Sequence, residues 1–257
     1  MTLPLQVVPS NLNTKISPND MMYASPAEQH DALDRYLMWG RSAGKAIRIA
    51  MAAGGVEDIQ RILDLPCGHG RVLRTLRAMF PAAAITACDI DREAVDFCAE
   101  TFSATPVYST TSPNEIEIEG RFDLIWCGSL LTHLDAPAWS SFLAIFSSLL
   151  NHRGILVFST HGRRVAERFR SGVTKFGVDA SILDDYDATG FGYRNYPRGL
   201  VPAPIGTDED IHYGISLSNP AWVCHEVTHD PLLHLLLFLE HGWNGHHDLI
   251  ACQKLTV

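Results

Sequence analysis

The chain has 257 residues, of which 46% are hydrophobic and 19% are charged. This length and composition predict one globular domain that is large enough to bury a substantial core. The formal net charge is −9 at pH 7. Nucleic-acid-binding surfaces need clustered lysine and arginine, so the acidic balance argues against a nucleic acid partner.

Membrane and secretory segments are not expected. The longest apolar run, around Leu232–Leu239, is interrupted by His234 and is too short to span a bilayer. The N-terminal residues lack the basic and then apolar pattern of a secretory signal. The six cysteines form no CxxC pair. We therefore expect a cytoplasmic protein with reduced cysteines and no membrane partner.

Residues 1–57 are predicted to form an N-terminal arm followed by one helix. The run Ser25–Glu28, "SPAE", has the pattern of a capping box with proline at the first helical position. Apolar residues then recur at helical spacing until Gly54 and Gly55, which end the run. We expect this segment to cover the ligand site of the remaining domain, residues 58–257.

From residue 61 short apolar runs alternate with helical segments. The runs are RILDL, AITACD, TPVYS, FDLIWCG and GILVFST. Apolar runs without alternation, separated by helices, predict a parallel sheet that is covered on both faces. Two later runs, LLHLLLFLE and HHDLIACQKL, flank the turn HGWNGH and predict a closing hairpin, although periodicity alone also allows a helix for the first. The predicted fold is therefore a doubly wound, Rossmann-like α/β domain with a seven-stranded, mostly parallel sheet and an antiparallel last strand.

The segment from about residue 162 to 215 interrupts this rhythm and is rich in Gly, Pro, Asp and Tyr. We expect an irregular cap, because loops of this length are uncommon unless they are functional or disordered. A surface loop held down by its own aromatic residues is an equally good interpretation. If the cap is functional, its aromatic residues and one arginine would form a wall for a small polar acceptor. The candidates are Phe191, Tyr193, Arg194, Tyr196, Tyr213 and Trp243.

The turn after the first strand, Asp64–Gly70, is the expected ligand site, because ligands of open α/β sheets lie beside the first βα turn. Glycines at 68 and 70 remove side chains where the backbone must approach a ligand. Leu73 stands where the dinucleotide fingerprint has its third glycine, which weakens a pyrophosphate site. Asp89, at the end of the second strand, is suited to a ribose diol. The alternative role for Asp89 is a helix N-cap, which Asp91 could fill instead.

The segments DLPCGHG, ITACDID and FDLIWCGSLLTHL resemble the class I S-adenosylmethionine-dependent methyltransferases. The resemblance covers roughly residues 60–160 and the closing hairpin. It implies S-adenosylmethionine as the cofactor. It also implies that the first turn flanks the methionyl part, that Asp89 binds the ribose hydroxyls and that Ile90 lies against adenine. The turn residues implied are Asp64, Pro66, Cys67, Gly68 and Gly70, and Cys127, Gly128 and Ser129 would line the methyl-transfer end.

Two positions depart from the pattern of that family. Pro66 stands where the family often has glycine, and proline has no amide donor. The acid or amide that commonly reads adenine after the third strand is missing from VYSTTS. The hydroxyl of Ser109 or Thr110, or the backbone, would have to replace it.

Methyl transfer from a sulfonium needs the acceptor held in line and, for a hydroxyl, its proton removed. His133 and His161 follow two strand ends and are candidate bases, while a structural role fits each equally well. His161 is slightly favoured because it opens into the cap. We expect methyl transfer to a small-molecule acceptor, with an oxygen of a sugar or another metabolite as the first guess. A nicotinamide-dependent oxidoreductase and a non-catalytic cofactor-binding module are the alternatives.

The run HEVTH, residues 225–229, matches the HExxH zinc pattern. Pro231 would end such a helix just after His229, and the third ligand of the long zincin motif is missing. We therefore expect neither a zinc peptidase nor a bound metal.

Overall fold

A computed structural model describes residues 9–23, 31–197, 199 and 213–255. The helices are α1 Ala32–Gly54, α2 Leu73–Met79, α3 Arg92–Phe102, α4 Ala136–Leu149, α5 Arg163–Arg170, α6 Ile182–Thr189 and α7 Pro220–Thr228. The strands are β1 Arg61–Asp64, β2 Ala84–Asp89, β3 Thr105–Tyr108, β4 Phe122–Cys127, β5 Leu150–Thr160, β6 Phe191–Asn195, β7 Gly214–Ser218, β8 Leu233–Trp243 and β9 His247–Lys254. Among the helices in these ranges, none has the length and apolarity needed to cross a bilayer.

Seven strands form one sheet in the order β3-β2-β1-β4-β5-β9-β8. The pairs from β3 to β5 are parallel, whereas β9 runs antiparallel to both of its neighbours. The predicted fold class is therefore confirmed, including the hairpin and the antiparallel last strand. β8 extends to Trp243, so the turn begins at Asn244 and is shorter than the predicted HGWNGH.

Both faces of the sheet are buried, as the apolar runs predict. On β1, Ile62 belongs to a core cluster with residues of α1, α2 and α3, while the adjacent Leu63 belongs to a second cluster with residues of α4 and α7. Both side chains are fully buried. Successive residues of a strand point to opposite faces, so each strand serves two cores. This arrangement holds the carboxyl ends of β1, β2 and β4 at one edge.

The N-terminal region packs against the sheet domain. α1 ends at Gly54, and Gly55 adopts φ 61° with its N–H bonded to the last turn, as the double glycine predicts. The predicted helix start at Ser25–Glu28 lies outside the described residues. The Arg74 guanidinium donates to the carbonyls of Asn13 and Lys15 at 2.8 and 3.0 Å, so the arm lies along α2.

The cap is more regular than the sequence predicts. It contains α5, α6 and the two-stranded antiparallel ribbon β6–β7, although residue 198 and residues 200–212 lie outside the described ranges. A small core of its own includes Val165, Ile182, Ile215 and Leu217. The expectation of an irregular cap is wrong for a physical reason: elements of only five to eight residues show little periodicity.

Candidate active site

The two glycines of the first turn have different environments. At Gly68, φ is +47°, and no atom of the described residues lies within 4 Å of the position that a Cβ would take. At Gly70, φ is +77°, and a Cβ would lie 2.5 Å from the ring of Phe102. Gly68 therefore leaves an open cradle for a ligand, whereas Gly70 allows α3 to pack closely against the turn.

The Asp89 carboxylate closes the other side of this cradle. Its Oδ2 accepts a hydrogen bond from the Gly68 N–H at 2.8 Å, and its Oδ1 accepts one from the Asp91 N–H at 3.0 Å. Burial raises the pKa of Asp89, and these backbone bonds oppose that rise. The side chain of Asp91 caps α3 through the N–H groups of Glu93 and Ala94. Asp91 thus fills the capping role, and the Asp89 oxygens keep lone pairs for a diol.

Asp64, at the end of β1, is only 1% exposed. Neither of its carboxylate oxygens has a hydrogen-bond partner in the part of the chain that the structure describes. Burial, together with the charge of Asp89, raises the pKa of Asp64 well above its usual range. A buried carboxyl group without a donor is costly, so the site fits a ligand that carries a cationic N–H group.

Arg71 is a candidate that the sequence analysis missed. Its guanidinium lies 4.8 Å from the ring centroid of Trp39 and 5.7 Å from that of Trp243. Within the described ranges no salt bridge joins it to a carboxylate. Burial lowers its pKa. A signal was present, because a cation just before a helix opposes the helix dipole and needs another reason to be there.

The residues expected near adenine have different surroundings. Ile90 is half-buried. The Ser109 N–H donates to the Asp89 carbonyl at 2.9 Å, so Ser109 is joined to the predicted ribose site. The exposed Thr110 uses its hydroxyl in a local turn with the backbone of Ser112. Ser109 is therefore the better placed of the two hydroxyl residues.

The turn after the first strand also contains two residues whose side chains are not free. Cys67 is buried, its N–H donates to the Cys88 carbonyl at 3.0 Å, and contact with Cys98 and burial raise the pKa of its thiol. Pro66 is half-buried and follows a cis peptide bond from Leu65. Both residues therefore help to shape the backbone of the cradle.

The end of β4 is tightly packed. Cys127 is buried, and burial raises the pKa of its thiol. A Cβ on Gly128 would lie 2.8 Å from both the Trp126 and Trp243 side chains, so only glycine fits there. The Ser129 N–H donates to the Ser159 hydroxyl at 2.8 Å, which joins the ends of β4 and β5.

His133 is the better exposed of the two predicted bases. Its Nδ1 lies 2.8 Å from the Gly214 carbonyl, which can only accept, so in the neutral ring Nδ1 carries the proton and Nε2 keeps a lone pair. Burial lowers the pKa of His133, and the bond to Gly214 opposes this. Tyr213 stacks on the imidazole with ring centroids 4.9 Å apart.

His161 lies deeper, with 4% of its surface exposed. Its Nδ1 has no partner among the residues described. Burial and the neighbouring His133 and His246 lower its pKa well below the usual range. The ring packs against Phe176 and His247 at centroid distances of 5.2 and 4.8 Å.

The sequence analysis also missed His246, in the turn before β9, and His247, the first residue of that strand. One ring nitrogen from each of His161, His246 and His247 lies within 4.8 Å of one from each of the others. The Nδ1 of His247 lies 3.1 Å from the Ser159 hydroxyl. We refer to these three residues as the histidine cluster.

The predicted aromatic wall is divided in the structure. Tyr196 and Tyr213 lie beside His133 at centroid distances of 6.0 and 4.9 Å. Burial, and to a smaller degree the charges of Tyr196, Asp89 and Tyr193, raise the pKa of Tyr213. Burial raises the pKa of Tyr196 to about 12, so its hydroxyl is neutral at pH 7.

The other predicted wall residues have structural partners. Arg194 donates to the Ser181 hydroxyl and carbonyl and to the Asp185 carboxylate, which ties β6 to α6. The Tyr193 hydroxyl donates to Asn195 at 2.6 Å. Trp243 is 1% exposed and lies in the core, with its indole N–H on the Trp39 carbonyl. The Arg194 charge is thus neutralised by Asp185.

The HEVTH run lies at the end of α7, which stops at Thr228 before Pro231. His225 and His229 share one face, as the pattern predicts, with ring centroids 4.2 Å apart. His225 and His229 are exposed at the surface, and Glu226 is half-buried.

Comparison with known proteins supports the expected family. Residues 63–156 match a family described as Methyltransferase domain. A malonyl-[acyl-carrier protein] O-methyltransferase from Anoxybacillus flavithermus is 26% identical over 151 residues, which are 58% of this chain and 56% of that protein. The match thus spans just over half the length of that relative.

Solved structures share the fold at low identity. An S-adenosylmethionine-dependent methyltransferase from Clostridium acetobutylicum is 16% identical with a TM-score of 0.56, covering 90% of this chain and 98% of that one. The amino pentose methyltransferase CalS10 from Micromonospora echinaspora is 17% identical with a TM-score of 0.57, covering 87% and 95%. Residues 63–156 therefore match a methyltransferase domain, and the chain has the fold of the class I S-adenosylmethionine-dependent methyltransferases.

Proposed function

We propose that this chain transfers a methyl group from S-adenosylmethionine to an oxygen atom of a small-molecule acceptor. The observation that carries the proposal is the cradle formed by Asp64, Gly68 and Asp89 at the carboxyl ends of β1 and β2. It combines an open backbone position, a carboxylate suited to a diol and a second carboxylate that has no donor among the described residues. A nucleoside that bears an amino acid supplies a ribose diol for Asp89 and an ammonium group for Asp64.

The two ends of the cofactor would meet different residues. Asp89 would accept the ribose hydroxyls, with Ile90 and Ser109 at the adenine end. The unpartnered Asp64 would accept hydrogen bonds from the ammonium group, and Arg71 would pair with the carboxylate. When bound, the cofactor supplies an electrophilic methyl group on a sulfonium sulfur.

His133 is the proposed base. Its Nδ1 proton is fixed on the Gly214 carbonyl, which leaves Nε2 to take the proton of an acceptor hydroxyl. A lowered pKa keeps the ring neutral near pH 7. Tyr196 and Tyr213 flank this imidazole and would position a small acceptor. Because an alcohol needs proton removal and His133 provides for it, oxygen is the favoured acceptor atom, in agreement with the name of the Anoxybacillus relative.

The central experiment compares three ligands by calorimetry: S-adenosylhomocysteine, methylthioadenosine, which lacks the amino acid, and NAD. Asp64→Asn and Arg71→Met should each weaken S-adenosylhomocysteine binding about 10- to 100-fold, the range for hydrogen bonds to charged groups. Methylthioadenosine binding should stay within about twofold of the wild type, because it makes neither contact.

The same titrations test the alternatives. Binding of NAD without S-adenosylhomocysteine would favour an oxidoreductase. Equal losses for both adenosine ligands would remove Asp64 and Arg71 from the methionyl end. Binding of S-adenosylhomocysteine without transfer of labelled methyl groups to any of a panel of sugar, phenol and carboxylate acceptors would contradict catalysis and favour a binding module.

A further inference from the structure

We propose that His161, His246 and His247 form a binding site for one divalent transition-metal ion of the zinc class. The inference does not depend on the proposed methyl transfer. It concerns a group of residues to which the proposed cofactor site and the proposed base, His133, give no role, and it replaces the sequence-based expectation of no bound metal.

The first support is geometry. The three residues come from two places, the end of β5 and the turn between β8 and β9, and the fold brings one nitrogen of each within 4.8 Å of the others. A tetrahedral zinc ion about 2.0–2.1 Å from each nitrogen needs nitrogens roughly 3.4 Å apart. Small side-chain rotations would close this difference.

The second support is an unsatisfied atom. The buried Nδ1 of His161 has no hydrogen-bond partner within the described ranges. A buried polar atom without a partner destabilises the fold, and binding of an ion is one way in which it is satisfied. The His161 ring packs against Phe176 and His247 at centroid distances of 5.2 and 4.8 Å.

The third support is the orientation of His247. Its Nδ1 bonds to the Ser159 hydroxyl, which also accepts the Ser129 N–H. Histidines that ligate metals usually use the other ring nitrogen in such a bond, which sets the ring direction. When the Nδ1–H of His247 donates to this hydroxyl, Nε2 keeps a lone pair for an ion.

The ligand atoms and the neighbouring groups decide which ions fit. The three ligand atoms are nitrogens, which suit zinc, copper, nickel and iron, whereas magnesium and calcium prefer oxygen. The charges of Arg164 and Arg168 act on His246 and that of Arg71 acts on His247, and these charges disfavour weakly held cations.

The position of the cluster suggests what the ion would contact. His161 lies 6.3 Å from His133, measured between ring centroids. Three protein ligands leave a fourth position for water or for an oxygen of the acceptor. The ion would then lie beside the acceptor site rather than in the cofactor cradle.

The test uses the full chain, purified without a histidine tag and treated with a chelator. Equilibrium dialysis against Zn²⁺ with elemental analysis should give about one ion per chain, and Co²⁺ should give the visible absorption of a tetrahedral nitrogen site. His246→Ala, His161→Gln and His247→Gln should each weaken zinc binding at least about 100-fold, since even second-shell changes cost 10- to 100-fold. The double variant His225→Ala/His229→Ala, which removes the exposed pair on α7, is the matched control and should keep the ion.

Two results would overturn the proposal: the wild type retains no zinc at micromolar free metal, or zinc is lost from the α7 control and kept by the cluster variants. S-adenosylhomocysteine affinity and cooperative unfolding are measured in parallel, and both should stay near the wild-type values in His246→Ala. This half-buried residue decides the outcome if either buried variant fails to fold. Absence of S-adenosylhomocysteine binding in every variant, with zinc still bound, would reject the proposed function and leave the metal site standing.

Discussion

The Nδ1–H of His133 bonds to the Gly214 carbonyl at 2.8 Å, which joins the turn after β4 to the first residue of β7. The bond links the seven-stranded sheet to the cap and sets the tautomer of the imidazole. Any movement of the β6–β7 ribbon therefore changes the direction in which Nε2 points.

Replacing His133 tests its role as the base. His133→Gln should lower kcat by about 10²- to 10⁴-fold, the usual contribution of a general base, and leave S-adenosylhomocysteine affinity unchanged. Because the pKa of His133 lies below the ordinary 6.5, the active neutral form persists to lower pH, and kcat/KM should fall only as pH drops below 6.5. His225→Gln, on the surface of α7, is the control. An acid limb at or above pH 6.5, or an unchanged kcat, would contradict the assignment.

Substitution by alanine should weaken ligand binding at Asp89 and lower the stability of the fold at Asp91. Asp89→Ala should weaken S-adenosylhomocysteine and methylthioadenosine equally, by about 1.5–3 kcal/mol or roughly 10- to 100-fold, because both ligands carry the ribose. Asp91→Ala removes the cap of α3 and should cost about 1 kcal/mol of stability without changing either affinity. Calorimetry and urea unfolding of both variants measure this, and an unchanged dissociation constant in Asp89→Ala would remove it from the site.

Substitutions at the two glycines of the first turn should also distinguish a role in ligand binding from a role in stability. Gly68→Ala adds a methyl group to the open cradle, so we expect roughly tenfold weaker S-adenosylhomocysteine binding and a stability loss of about 1–2 kcal/mol from the left-handed backbone. Gly70→Ala drives a methyl group into Phe102 and should cost about 2–4 kcal/mol. If the larger loss of stability occurred in Gly68→Ala, the assignment of the two roles would be reversed.

Acid should destabilise the metal-free protein through its buried histidines. Burial lowers the pKa of His161 and His247 in the folded state, so below pH 6.5 the unfolded state binds more protons. Their contribution to the free energy of unfolding is therefore present above pH 6.5 and is lost as pH falls below it. Urea unfolding between pH 7 and pH 5 should show a shallower loss in His161→Gln and His247→Gln. His234→Gln, at an exposed position of β8, should keep the wild-type slope.

The sequence predicts the sheet well because its strands are buried on both faces. Runs such as FDLIWCG are stable only when they are buried. Asp91 begins α3 and Gly55 ends α1 through local backbone chemistry. The cap is predicted poorly since its helices have few buried residues and pack mainly on the short strands β6 and β7. Trp243 is predicted to join the acceptor wall, but β8 extends beyond the run LLHLLLFLE as far as Trp243, and this residue lies in the core.

The site is predicted in part for a similar reason. Asp64, Gly68 and Asp89 lie at strand ends whose positions follow from the fold class. The histidine cluster joins residues on both sides of the cap, and no local pattern links His161 to His246 and His247. Arg71 was missed because its surroundings depend on Trp39 and Trp243, which are remote in sequence.

β9 lies inside the sheet, between β5 and β8, and every one of its eight residues is buried. In a nascent chain that has emerged only as far as β8, the edges of β5 and β8 that pair with β9 have no partner. Domains generally fold as units during synthesis, so His247–Lys254 must emerge from the ribosome before the complete sheet can form. Until then the edges of β5 and β8 that pair with β9 remain exposed, and this is the stage at which chaperones would be needed most.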